Sequence, residues 1–217
     1  MRARVVSVNV GTPVDQAWAG KLGRTAMVKH AVEGPVRVRE LGLEGDQVGD
    51  TKHHGGIHKA VYAFAQEDLD SWRDGLGAVP SPGMFGENLT TVGIDVNEAV
   101  LGEHWRVGSS LLSPVDVRIP CVVFKNWLGL NEMDNRAWVR RFTEAGRPGP
   151  YLQVLEEGVL RRGDRISVEH RPDHGVTVSA LFAVLTTHRA RLPDLLAVEG
   201  LPETVYAAAR RQAARAR

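Results

Sequence analysis

From Arg4 to Val10 apolar and polar side chains alternate, which predicts a strand with Val6, Val8 and Val10 on one face, ended by Gly11-Thr12-Pro13. The same period returns in Val36-Arg37-Val38-Arg39 after Gly34-Pro35, whereas Leu41 to Asp50 carries glycine and aspartate too densely for regular structure and reads as an ordered loop. Ala60 to Phe64 is apolar enough for a buried strand. Acidic residues early in Gln66 to Trp72, with apolar ones three apart, suit a short helix before a proline- and glycine-rich loop from Gly75 to Gly86.

Leu89 to Val92 and Trp105 to Gly108 read as strands, and Leu111 to Val117 as another that Pro114 interrupts, placing it at an edge or a bend. Asn131 to Ala145 has the spacing of a helix with Trp138 and Phe142 facing the core, stopped by Gly146 and Pro148. Tyr151 to Leu155, the turn Glu156-Glu157-Gly158, Val159-Leu160 and Arg165 to Val168 suggest a returning hairpin and a last strand. After Arg171 to Gly175 the period changes. Leu181 with Leu185, Leu192 with Leu195 and Leu196, and Val205 with Ala209 supply stripes for three short helices. Many short strands and then helices predict a mainly β chain with added α-structure, a barrel or sandwich over residues 1–170 and a helical unit over 176–217.

Composition adds constraints. In 217 residues with 43% hydrophobic and 24% charged side chains and a formal net charge of +1, nothing pulls the chain in bulk toward nucleic acid or membrane. Four arginines in the last eight residues read as a solvated end, so nucleic acid is a disfavoured partner. The apolar run near Met1 is too short to span a bilayer and has no cleavage pattern. A single cysteine forms no internal disulfide, and its free thiol suits the cytoplasm.

That cysteine, Cys121, follows Arg118-Ile119-Pro120. It is either a soft ligand or nucleophile beside a guanidinium, or a small buried apolar residue. Lys52-His53-His54-Gly55-Gly56-Ile57-His58-Lys59 has the parts of an anion cradle, and equally of a turn with exposed histidines or, less favoured, a zinc site. Glu87, in Phe85-Gly86-Glu87-Asn88-Leu89, is a candidate general acid or base, or a turn stabiliser. Serine-elbow, P-loop and dinucleotide fingerprints are missing.

In order along the chain, Gly42-Leu43-Glu44-Gly45-Asp46, His53-His54-Gly55-Gly56, Lys59-Ala60-Val61, Phe85-Gly86-Glu87-Asn88-Leu89, Arg118-Ile119-Pro120-Cys121 and Gly163-Asp164 resemble the MOSC family, named after the C-terminal domain of molybdenum-cofactor sulfurases. The resemblance implies a β-barrel core with a cleft, a three-helix C-terminal domain and a molybdenum-molybdopterin cofactor whose metal Cys121 ligates. It makes Arg118, Lys52, His54 and Lys59 candidates for the pterin phosphate, with His53, Gly55 and Gly56 in the same loop, Asn88 orienting cofactor or substrate, and Glu87 catalytic. The implied activity is reduction of N-hydroxylated bases or amines with electrons from separate redox proteins, in a monomer or a homodimer. Sulfur transfer through a Cys121 persulfide, and cofactor binding or delivery without catalysis, are the alternatives. Val117 stands where the family commonly has proline.

Overall fold

The computed structural model describes residues 2–49 and 55–215. Eight strands form one sheet, in the order β13 (Ile166–His170), β9 (His104–Val107), β10 (Ser110–Val117), β11 (Pro150–Glu156), β7 (Val61–Ala65), β8 (Leu89–Val92), β1 (Arg4–Val10) and β4 (His30–Ala31). Neighbours pair antiparallel except β7 with β8, which are parallel and need a crossover, supplied by α1 (Gln66–Ser71) and α2 (Arg73–Leu76). Smaller ladders join β12 (Gly158–Leu160), β5 (Val36–Arg39) and β6 (Gly42–Leu43), and β2 (Val14–Asp15) with β3 (Arg24–Thr25). Where a β-barrel is expected, the ladder is not continuous around a ring. The start of β1 instead meets the start of β13 at a single bridge, with Val5 N–H donating to Asp164 (2.9 Å) and Ile166 N–H to Ala3 (2.9 Å).

Four elements correct or refine what the sequence predicts, each for a physical reason. A bulge between Val5 and Ser7 shifts β1 by one residue, so Val5 and Val8 are buried while Val6 and Val10 are half exposed. Of the edge or bend expected at Pro114 the structure has the bend: the residue lies in an interior strand, and the missing N–H falls at a register shift between Pro114 and Asp116. β12 does not return on β11 as a hairpin but pairs with β5, far earlier in the chain. The helix expected from Asn131 also starts later, as α4 (Trp138–Ala145), because Ala137 sits at φ 49°, a left-handed conformation that breaks the helix.

Trp138 and Phe142 are fully buried, and with Trp72, Phe85 and Phe124 they make a cluster of tilted and edge-on rings under α3 (Val122–Leu130). The tail adds α5 (Val178–Thr186), a 3-10 segment (Arg189–Ala197) that contains Pro193, and α6 (Glu203–Arg215). Thr177 caps α5 by accepting from the Ala180 N–H (3.2 Å), and Phe182 of α5 meets Phe142 edge-on at 6.2 Å, so the tail is packed into the same apolar core as the sheet. Among the described residues no helix is long and apolar enough to cross a membrane.

Candidate functional site

β10 ends at Val117 and α3 begins at Val122, and the four residues between them include Arg118 and Cys121. Cys121 takes an extended backbone (φ −135°, ψ 172°), and its carbonyl accepts the Lys125 N–H (3.1 Å), so the thiol is held at the first turn of a helix anchored by buried Phe124 and Leu128. It is half-buried, not core, and it opens onto a cleft of about 470 Å³.

Arg118, 7% exposed, reaches the same cleft. One terminal nitrogen donates to the Tyr151 hydroxyl (3.3 Å), the other lies 3.3 Å from the Met27 sulfur, a weak acceptor, and Nε has no acceptor among the described residues. The guanidinium packs over the Tyr62 and Phe124 rings at 5.3 Å each. Among the described residues no carboxylate pairs with it. Burial opposes its charge, yet the Tyr151 and Tyr62 hydroxyls and Cys121 hold it above the ordinary arginine range.

A second cation, Lys29, lies almost wholly buried in the cleft and pairs with Asp46 at 2.5 Å. Burial lowers its pKa despite the attraction of Asp46. Asp46 in turn accepts the Gly11 N–H (2.7 Å) and the Asn88 amide (2.9 Å). Asn88 is committed at every polar atom on that side: its carbonyl oxygen accepts the Tyr62 N–H (3.0 Å), and its amide also donates to the Asn9 carbonyl (3.1 Å). Lys59 lines the cleft 3.7 Å from Asp116 and 5.7 Å from the centre of the Tyr151 ring.

The structure therefore brings together Cys121, Arg118, Lys59 and Asn88. It does not bring Glu87 with them. That carboxylate is fully buried and turned back on its own loop, accepting from Gly83 N–H (2.6 Å), Phe85 N–H (3.0 Å) and the Thr90 hydroxyl (2.8 Å), and burial raises its pKa even against these donors. Gly55 and Gly56 precede the 3-10 turn Ile57–Lys59 without lining the cleft, and Lys52, His53 and His54 lie outside the described residues. Sequence reading missed Lys29, Met27, Tyr62 and Tyr151. Lys29 stands between short strands with no motif around it, so only its burial beside Asp46 singles it out.

The model of the MOSC domain matches residues 50–167, which span the Gly55-Gly56 turn, the Glu87 loop and Cys121. The chain belongs to the MOSC domain family. It is 30% identical over 177 residues to YflK of Bacillus subtilis, covering 82% of this chain and 78% of YflK. It is 29% identical over 206 residues to a protein of Gibberella moniliformis named reductase, covering 92% of this chain but 35% of that longer protein. The fold matches the crystal structure of YiiM from Geobacillus stearothermophilus with a TM-score of 0.78 at 22% identity, over 97% of this chain and 98% of that one.

Proposed function

We propose that this MOSC protein is a cytoplasmic, molybdenum-cofactor-dependent reductase that returns N-hydroxylated bases or amines to the parent compound, taking electrons from separate redox proteins. The observation that carries the reading is the Arg118 Nε, without an acceptor among the described residues and buried in the same cleft as the sole thiol of the chain. A buried guanidinium with no carboxylate is costly unless an anion meets it, and a pterin phosphate is such an anion. The donor set fits the cofactor: Cys121 Sγ as soft ligand, Arg118 and Lys59 as phosphate partners, and a cleft of about 470 Å³ to exclude water. When bound, the cofactor supplies an oxygen-accepting, two-electron centre.

The chain itself positions and neutralises. Arg118 packs against two rings that restrict its movement away from an anion, and Lys29 Nζ, tied to Asp46, lines the same cleft. Cleaving the N–O bond of R–NHOH to give R–NH₂ and water consumes two electrons and two protons, and the Lys29 ammonium with its lowered pKa stands in the cleft as a proton source.

Metal and pterin analysis of protein from a cofactor-competent host tests this, together with Cys121→Ser. The half-buried site should accept the hydroxyl with little change in melting midpoint, while reduction of a hydroxylamine-bearing base falls by orders of magnitude. Absence of molybdenum and pterin, with no activity on reconstitution, would sink the reading. A sulfur adduct on Cys121 that passes to an acceptor without metal would replace it with persulfide transfer, and cofactor held tightly without turnover would replace it with a delivery role.

A further inference from the structure

A second cavity, of about 490 Å³, shares no lining residue with the cleft. Its wall includes His104 at the start of β9, His170 at the end of β13, and Glu199 from the turn before α6. The two strands pair Val168 with Trp105, so an unbroken antiparallel register would set Glu169 opposite His104. A register shift after Val168 sets His170 there instead. The displaced Glu169 takes Arg106 in a two-point pair (3.1 Å each), and the other terminal nitrogen of Arg106 is bonded to Glu156.

The bulge thus leaves two imidazoles side by side across the ladder, ring centres 4.8 Å apart and planes tilted by 52°. Two histidines on one ion, with metal–nitrogen bonds near 2.0 Å, have ring centres on the order of 5 Å apart. Neither ring spends a nitrogen on a hydrogen bond among the described residues, in contrast to His174 of the same cavity, which accepts the Val176 N–H at Nδ1 and so donates from Nε2 to the Leu101 carbonyl. The nearby cations are already engaged, Arg106 as above and Arg171 with Glu103 (2.6 Å).

We propose that His104 and His170 form a cross-strand chelate for a borderline transition dication such as Zn²⁺, Ni²⁺ or Cu²⁺, with Glu199 contributing negative charge to the same cavity and water completing the shell. Among the described residues no set of three or more ligating side chains is preassembled, so the site is an open two-ligand one. The ion ties the ends of β9 and β13 together.

Calorimetric titration of tag-free, metal-stripped protein with NiCl₂ and ZnCl₂ tests this independently of the cleft. His104→Ala and His170→Ala should each remove one binding equivalent or weaken it on the order of a hundredfold, because a chelate becomes a single ligand, and should abolish the rise in melting midpoint that the ion gives the unsubstituted protein. His188→Ala, at an exposed tail histidine, should change neither. His170→Gln, at an exposed position, supplies a folded second variant should His104→Ala fail to fold. Unchanged stoichiometry together with unchanged affinity in the His170 variants, or equal loss with His188→Ala, overturns the proposal.

Discussion

Replacing Asn88 by alanine separates a scaffold role from a ligand-contacting one. The side chain is 5% exposed and joins three elements: the Tyr62 N–H of β7, the Asn9 carbonyl of β1 and the Asp46 carboxylate of the glycine-rich loop. Truncation leaves the first two without partners in a buried setting, at about 1 to 2 kcal/mol each. The bond to Asp46 is worth less on removal, about 1 kcal/mol, since Asp46 keeps Gly11 N–H and Lys29. The sum is about 3 to 5 kcal/mol, which for a chain of this size lowers the melting midpoint on the order of 10 °C. Urea unfolding followed by tryptophan fluorescence reads the loss, and activity per folded molecule at low temperature should fall much less than stability does. If Asn88→Ala costs under about 1 kcal/mol while cofactor retention collapses, the amide contacts ligand, and the hydrogen-bond assignment that makes it a structural tie is wrong.

Arg118→Met tests the buried cation. Exchanging an unpaired guanidinium for an apolar chain of similar reach should leave stability unchanged or raise it by about 1 to 2 kcal/mol, while pterin content of the purified protein drops; a clear fall in the urea midpoint would mean that the ring contacts outweigh the cost of burial. For Glu87 the folded pKa lies above the unfolded one, because burial penalises the charge. The folded state therefore binds the extra proton, and this group's contribution to stability is best in acid and declines as pH rises from the unfolded value near about 4.3 through the raised folded value. Glu87→Gln should flatten that decline, and superimposable pH–stability slopes for the two proteins would refute it.

What the sequence reveals here follows the range of the interactions involved. Period-two alternation at Val36–Arg39 and the Trp138–Phe142 spacing depend on which face is buried, so both elements are visible locally. The partner of β12 is not, because pairing with β5 depends on where distant segments meet. Bulges at Val5 and Val168 are invisible for the same reason, whereas the one at Pro114 is announced by the proline itself, and each re-aims side chains that a regular strand would send elsewhere. In the cleft, Cys121 stands out as the sole thiol of the chain, directly after Pro120, and it draws attention to Arg118 three residues before it. Lys29 does not, since one lysine among 27 basic residues is unremarked until the fold buries it beside Asp46. Glu87 shows the converse: a carboxylate between glycine and asparagine looks available to a substrate, and the backbone N–H groups of its own loop occupy it.

The bridge between β1 and β13 bears on how the chain is made. β1 leaves the ribosome early, yet it pairs with β8 along one edge and, through Val5, with Asp164 on the other. Its later residues can pair with β4 soon after they emerge, but the hydrogen-bonding groups at Ala3 and Val5 wait while the chain up to residue 166 is synthesised, and the sheet cannot draw its ends together before then. Such long-range closure makes folding slow compared with a helical bundle. Through that interval the β1 edge is open to pairing with another nascent chain, so aggregation during strong expression should be relieved by weaker induction, which lowers the concentration of unfinished chains, and not by stabilising the finished fold.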